Sequence, residues 1–143
     1  SIICDPTIDN MKDIINNKVK FREWYRPFAP VCRFEDRDIY FKNAFKSQYM
    51  SYAPKVKDEY VKQLPSITHK DNTSRLQTVS PEDHSLFYSI LEELNNRNEI
   101  PIILNTSFNI KGLPILSTLK DALYVLKTTD LDYVYSHGYL FEA

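Results

Sequence analysis

Apolar positions change their spacing several times along the chain, and each change predicts an element. Between 9 and 19, Met11, Ile14, Ile15 and Val19 recur at three- and four-residue intervals, one face of a short helix, with Asp9 placed to cap its start. That helix is expected to end near Lys20, because Pro27 biases the residue before it toward extended geometry and Pro30 follows. The next stretch then reads as extended, with Lys20, Arg22, Trp24 and Arg26 on one face and Phe21, Glu23 and Tyr25 on the other. Residues 31 to 53 read as strand-like and aromatic, and a short helix is expected around 57 to 63, ending at Leu64-Pro65.

The second half is more sharply punctuated. Residues 66 to 79, SITHKDNTSRLQTV, predict two strands about an Asp71-Asn72 turn, since both turn residues tolerate positive φ; Arg75 and Gln77 share a face of the second arm. Ser80-Pro81-Glu82-Asp83 predicts a helix start, followed by an apolar stripe of Leu86, Phe87, Ile90, Leu91 and Leu94. The run 100 to 104, IPIIL, is continuously apolar, as a strand buried on both faces is. Thr118 to Asp121 is a second capping box, opening a helix to about Thr128, and the tail predicts two short strands about His137-Gly138. Helices interleaved with buried strands place the chain in the α/β (α+β) class.

Length adds that 143 residues suffice for one domain with its own core. Eighteen Lys and Arg against 19 Asp and Glu leave a net charge of -1, which gives no global pull toward nucleic acid or an anionic membrane, so any anion site is local. Cys4 and Cys32 stand in no metal-ligand spacing and two thiols make no disulfide framework; with no signal-like start or apolar run of about twenty residues, a cytoplasmic protein is expected. The first residue is Ser1 rather than Met, and the expectation is a domain cut from a longer polypeptide.

Three places could carry chemistry. Asn105, Thr106, Ser107 and Asn109 bunch polar side chains directly after the buried run, where open α/β sheets place ligands; the plainer reading is a turn bonded to its own backbone. Lys20, Arg22 and Arg26, joined by Arg75, would suit a polyphosphate, Arg as a planar fork and Lys as a point charge. Pairing of Arg22 with Glu23 or Glu35 and stacking of Arg26 on Trp24 or Tyr25 would explain the same residues structurally. His69 and Asp71 could hold a metal, but two ligands close no site, and no metal site is expected. The three histidines suggest no nucleophilic triad around Ser107.

Taken together, MKDIINNKVKFREWYRPFAPV, ITHKDNTSRLQTV and PIILNTSFNIKGLPIL resemble, in order, the C-terminal domain of the O-carbamoyltransferases, over nearly the whole chain. The resemblance implies a YrdC-like twisted mixed sheet flanked by helices, which binds ATP with Mg2+ and carbamoyl phosphate and forms carbamoyladenylate. A separate N-terminal domain would then transfer the carbamoyl group to a hydroxyl. It further implies phosphate contacts from Lys20 and Arg26 with Arg22 in support, a phosphoryl or carbamoyl contact from Arg75, and orienting roles for Ser107 and Asn109. Leu113 departs from the family pattern, which has Glu there, and Asn72 replaces a turn glycine. Two other readings stay open: an RNA-binding YrdC-like module and a non-catalytic partner domain.

Overall fold

The computed structural model describes residues 1–21 and 28–143. The chain opens with β1 (Ile2–Cys4) and a helical turn α1 (Met11–Ile14), which widens into a π-helical segment, Ile15–Lys20. There follow β2 (Ala29–Arg33), a 3-10 turn (Phe34–Asp36), α2 (Arg37–Tyr40), β3 (Phe41–Lys42), β4 (Lys55–Val56), α3 (Asp58–Val61) and β5 (Gln77–Val79). The last third holds α4 (Ser85–Asn96), β6 (Ile102–Thr106), α5 (Leu119–Thr128), β7 (Tyr133–Ser136) and β8 (Tyr139–Glu142). By contact these elements divide into two units, one made of Ser1–Met11 and Pro27–Thr106, the other of Lys12–Arg26 and Ser107–Ala143.

The first unit is built on a four-stranded mixed sheet in the order β1-β6-β2-β5. β6 lies antiparallel to both β1 and β2, and β2 lies parallel to β5. The apolar run predicted as a buried strand is therefore an interior strand, with Ile102, Ile103 and Leu104 all buried. Pro30 stands in β2 opposite Leu104 of β6 and ahead of the pairing with β5, which begins one residue later at Val31 opposite Gln77. Helix α4 covers the sheet through Phe87 and Leu91, which join Val31, Val79 and Ile103 in one core, with Tyr88, Ile90 and Leu94 packed against it. Leu86 does not join that stripe and is 44% exposed.

Three expected features of this unit take a different form. Residues 34 to 40 coil rather than extend, because Arg33 Nε bonds Asp36 Oδ2 at 2.5 Å while Arg37 bonds the Phe34 carbonyl and lies 4.1 Å over its ring. Beyond β3 the aromatic stretch is a loop held by stacking of Phe45 on Tyr52 at 3.8 Å. No hairpin joins 66 to 79. Asn72 does take the expected positive φ, 62°, but Thr73 bridges Lys55 and the second arm becomes β5, parallel to β2. Ser80 to Asp83 forms a separate turn: the Ser80 carbonyl accepts from the Asp83 and His84 amides, and α4 starts only at Ser85, where His84 Nδ1 accepts from the Phe87 amide.

The second unit packs α5 on the hairpin β7–β8, with Ala122, Leu126 and Val134 at its centre and Phe108, Leu123, Leu131 and Phe141 around them. Thr118 caps α5 as predicted, accepting from the Asp121 amide at 3.2 Å. The hairpin turns through His137 (φ 51°) and Gly138 (φ 86°), the pair of positive angles that a two-residue turn with the right twist requires. The π-helical segment also belongs here, tied by a Lys18–Asp130 ion pair at 2.8 Å and by the Lys111 amide donating to the Lys20 carbonyl at 2.9 Å. Among the described residues no helix is long and apolar enough to cross a membrane.

Candidate functional site

The turn geometry of the segment 15–20 decides where Lys20 goes. In a π-helical turn the backbone bonds i to i+5, so a residue lies beneath the one five before it rather than four. Ile15, Asn16, Val19 and Lys20 accordingly make up the buried residues of the segment, and Lys20 is only 3% exposed. Phe21 then stops the helix in the left-handed region, at φ 52°. The expectation that Lys20 begins an extended strand is thus corrected: it is the last helical residue. The face it was expected to share with Arg22, Trp24 and Arg26 lies, apart from Lys20, outside the described residues.

A buried ammonium must find acceptors, because an unpaired buried charge costs several kcal/mol. Lys20 Nζ finds them 87 and 89 residues along the chain. It donates to the Ser107 carbonyl, to Ser107 Oγ at 3.0 Å and to Asn109 Oδ1 at 2.9 Å. Ser107 Oγ in turn donates to Asn109 Oδ1 at 2.6 Å, and Asn109 Nδ2 donates to the Leu113 carbonyl at 3.1 Å. The loop 107–113 is therefore folded round one cation, with Ser107 itself exposed to solvent. An immobilised positive charge beside an exposed hydroxyl is an arrangement that recognises a phosphoryl or carboxylate oxygen.

The remaining candidates are distributed as follows. Asn105 and Thr106 are the last residues of β6, in the first unit; Asn105 Nδ2 donates to Gln77 Oε1 at 3.0 Å, while its Oδ1 is buried with no partner among the described residues. Thr106 sits opposite Ile2 at the sheet's edge pairing. Arg75 is exposed in the first unit and makes one long contact, Nη2 to the Met50 carbonyl at 3.5 Å. Arg22 and Arg26 lie outside the described residues. So the structure joins Lys20 from the first quarter of the chain with Ser107 and Asn109 of one loop 87 and 89 residues later.

Other chemistry-bearing groups have structural occupations. His69 Nδ1 contacts Thr73 Oγ1 at 3.0 Å, and Asp71 Oδ1 accepts from the amide and hydroxyl of Thr73, which hold its carboxyl below the usual carboxylate range. His84 caps α4 and stacks on Phe87, while His137 turns the hairpin beside Ser136. Burial, reinforced by the Asp36 carboxylate, pushes the Cys32 thiol well up, away from nucleophilic character. Among the described residues no group of three or more His, Cys, Asp or Glu could hold a metal ion. The Gln77–Asn105 amide pair and the Leu113 carbonyl escape sequence reading, although the four-residue step from Asn109 to Leu113 is a usual span for a side-chain bond to a backbone carbonyl.

Comparison with known proteins gives one consistent finding. The family model described as "Carbamoyltransferase C-terminus" matches residues 1–143, and so runs through both units. An uncharacterized protein of Methanocaldococcus jannaschii is 35% identical over 98% of this chain and 23% of its own length. Nodulation protein NolO of Bradyrhizobium diazoefficiens is 39% identical over 92% of this chain and 25% of its own length. Nodulation protein U of Rhizobium tropici is 32% identical over 99% and 24% respectively. The chain thus spans about a quarter of the length of the curated relatives it matches.

Proposed function

The chain belongs to the carbamoyltransferase C-terminal family, and from that premise we propose that it is the module that binds ATP and carbamoyl phosphate and makes carbamoyladenylate. An N-terminal portion, such as the longer relatives have room for, would then pass the carbamoyl group to a hydroxyl acceptor. The observation that supports this most is the Lys20–Ser107–Asn109 cluster, a fixed cation with an exposed hydroxyl in one loop.

In this reading carbamoyl phosphate first gives up its phosphate to water, leaving carbamate. A carbamate oxygen then forms a bond to the α-phosphorus of ATP as the bond from that phosphorus to the bridging oxygen breaks, and pyrophosphate leaves with the electron pair. Two anions approach one another in this step, so the work of the protein is to hold them and to lower the repulsion. Lys20 supplies a charge that pays no reorganisation when the reaction occurs, because its acceptors already fix it. Ser107 Oγ, which is exposed and bonded to Lys20, would add a minor contact to a phosphoryl oxygen held there. The family resemblance would add Arg75, which is exposed and makes one long contact, for a second oxyanion. Mg2+ would arrive on the nucleotide, bound by the phosphates, and would neutralise charge on the departing pyrophosphate.

Pyrophosphate release that depends on both ATP and carbamoyl phosphate tests the proposal. Lys20→Ala and Arg75→Ala are each expected to lower it by about tenfold to a hundredfold, the worth of one charged hydrogen bond, with the far-UV dichroism unchanged. Wild-type rates in both variants would refute the assigned roles. ATP-independent binding that weakens steeply with salt would instead identify an RNA-binding module.

A further inference from the structure

The three acceptors that Lys20 has among the described residues are not equivalent, and we infer that Asn109 is a positioning residue which fixes the ammonium while Ser107 Oγ is the acceptor of these three that yields to an incoming phosphoryl oxygen. The inference deepens the proposed function and rests on it only for the identity of that oxygen. An ammonium has three N–H donors, and Lys20 already has three acceptors in place among the described residues, so a ligand oxygen gains a direct bond only by replacing an acceptor.

Two of the three are held from elsewhere. The Ser107 carbonyl is backbone and also accepts from the Asn109 amide at 3.1 Å. Asn109 is held at both ends of its side chain: Oδ1 accepts from Lys20 and from Ser107 Oγ, and Nδ2 donates to the Leu113 carbonyl. Turning Asn109 away from Lys20 therefore breaks three bonds. Turning Ser107 Oγ away is a rotation about one side-chain bond of an exposed residue and breaks two, both of which a phosphoryl oxygen can replace by accepting from Lys20 and from the hydroxyl. Because the Leu113 contact is through the backbone, replacing Glu by Leu at that position leaves it intact. The Lys111 amide bonded to the Lys20 carbonyl closes the same loop onto the helix end, so Asn109 and Lys20 are fixed to each other at two points.

The test reads Lys20 itself. The protein is reductively methylated with formaldehyde and a borane, and the extent at Lys20 is followed by mass spectrometry of its peptide. In the wild type Lys20 is expected to react more than about tenfold more slowly than exposed lysines such as Lys120. Asn109→Ala should raise its rate at least about fivefold, Asn109→Asp should restore protection because an oxygen acceptor remains, and Ser107→Ala should leave it protected. With ATP as the probe, Asn109→Ala should weaken binding by more than about tenfold and Ser107→Ala by only about two- to threefold. If the alanine variant fails to fold by circular dichroism, Asn109→Leu, of similar volume, replaces it.

Equal protection of Lys20 in Asn109→Ala and wild type overturns the positioning role. Equal deprotection by Ser107→Ala and Asn109→Ala, or a tenfold loss of ATP affinity in Ser107→Ala, overturns the exchange. Failure of the wild type to bind ATP would refute the proposed function while leaving the methylation result to decide the role of Asn109.

Discussion

Asp83 shows how much one side chain can redirect. It accepts from Ser80 Oγ at 2.8 Å and from Lys46 Nζ at 3.1 Å, and also bonds Gln48; these partners hold its carboxyl below the usual carboxylate range. The sign follows from linkage: a depressed native value means that the contribution is whole above the unfolded value of about 3.9 and is lost as pH falls through the native one. Denaturant titrations between about pH 5 and pH 2 should therefore show Asp83→Asn losing less stability on acidification than the wild type. Parallel acid profiles would contradict this. The same residue explains a misreading: Ser-Pro-Glu-Asp has the composition of a helix start, but Asp83 is engaged with Ser80 and Lys46, and the helix waits for His84. Lys20 drew notice in the sequence as a cation among aromatics, but its burial was not legible, because the widened turn that carries it under leaves no mark in apolar spacing.

At the scale of elements, strong local signals survived and those that depended on distant partners did not. Thr118 fixes α5, and His137-Gly138 fixes the hairpin, since each satisfies its own geometry within a few residues. The run 100 to 104 was legible as a buried strand because only an interior position keeps both faces of β6 from water. The hairpin expected over 66 to 79 failed because Thr73 had a better neighbour in Lys55 and β5 in β2, pairings that no local pattern announces. The core joining α4 to the sheet should be sensitive to volume. Leu91 has no exposed surface there, and Leu91→Ala is expected to cost about 2–5 kcal/mol, or roughly 5–15 °C in Tm. A loss below about 1 kcal/mol in a denaturant titration would show that the helix does not depend on this contact.

For the whole molecule, the family match runs across all 143 residues, and the chain spans about a quarter of the length of the relatives it matches. With a net charge of -1, the proposed recognition of a nucleotide falls to local groups, and among the described residues the candidate cations assemble in a lysine clasped by a loop from the far end of the sequence. Calorimetric titration of the chain with ATP and Mg2+ tests this most directly. Saturable binding of one nucleotide per chain, weakened at least about tenfold by Lys20→Ala, is the predicted result. Absence of ATP binding to the wild-type chain, or an affinity indifferent to Lys20→Ala, would contradict it.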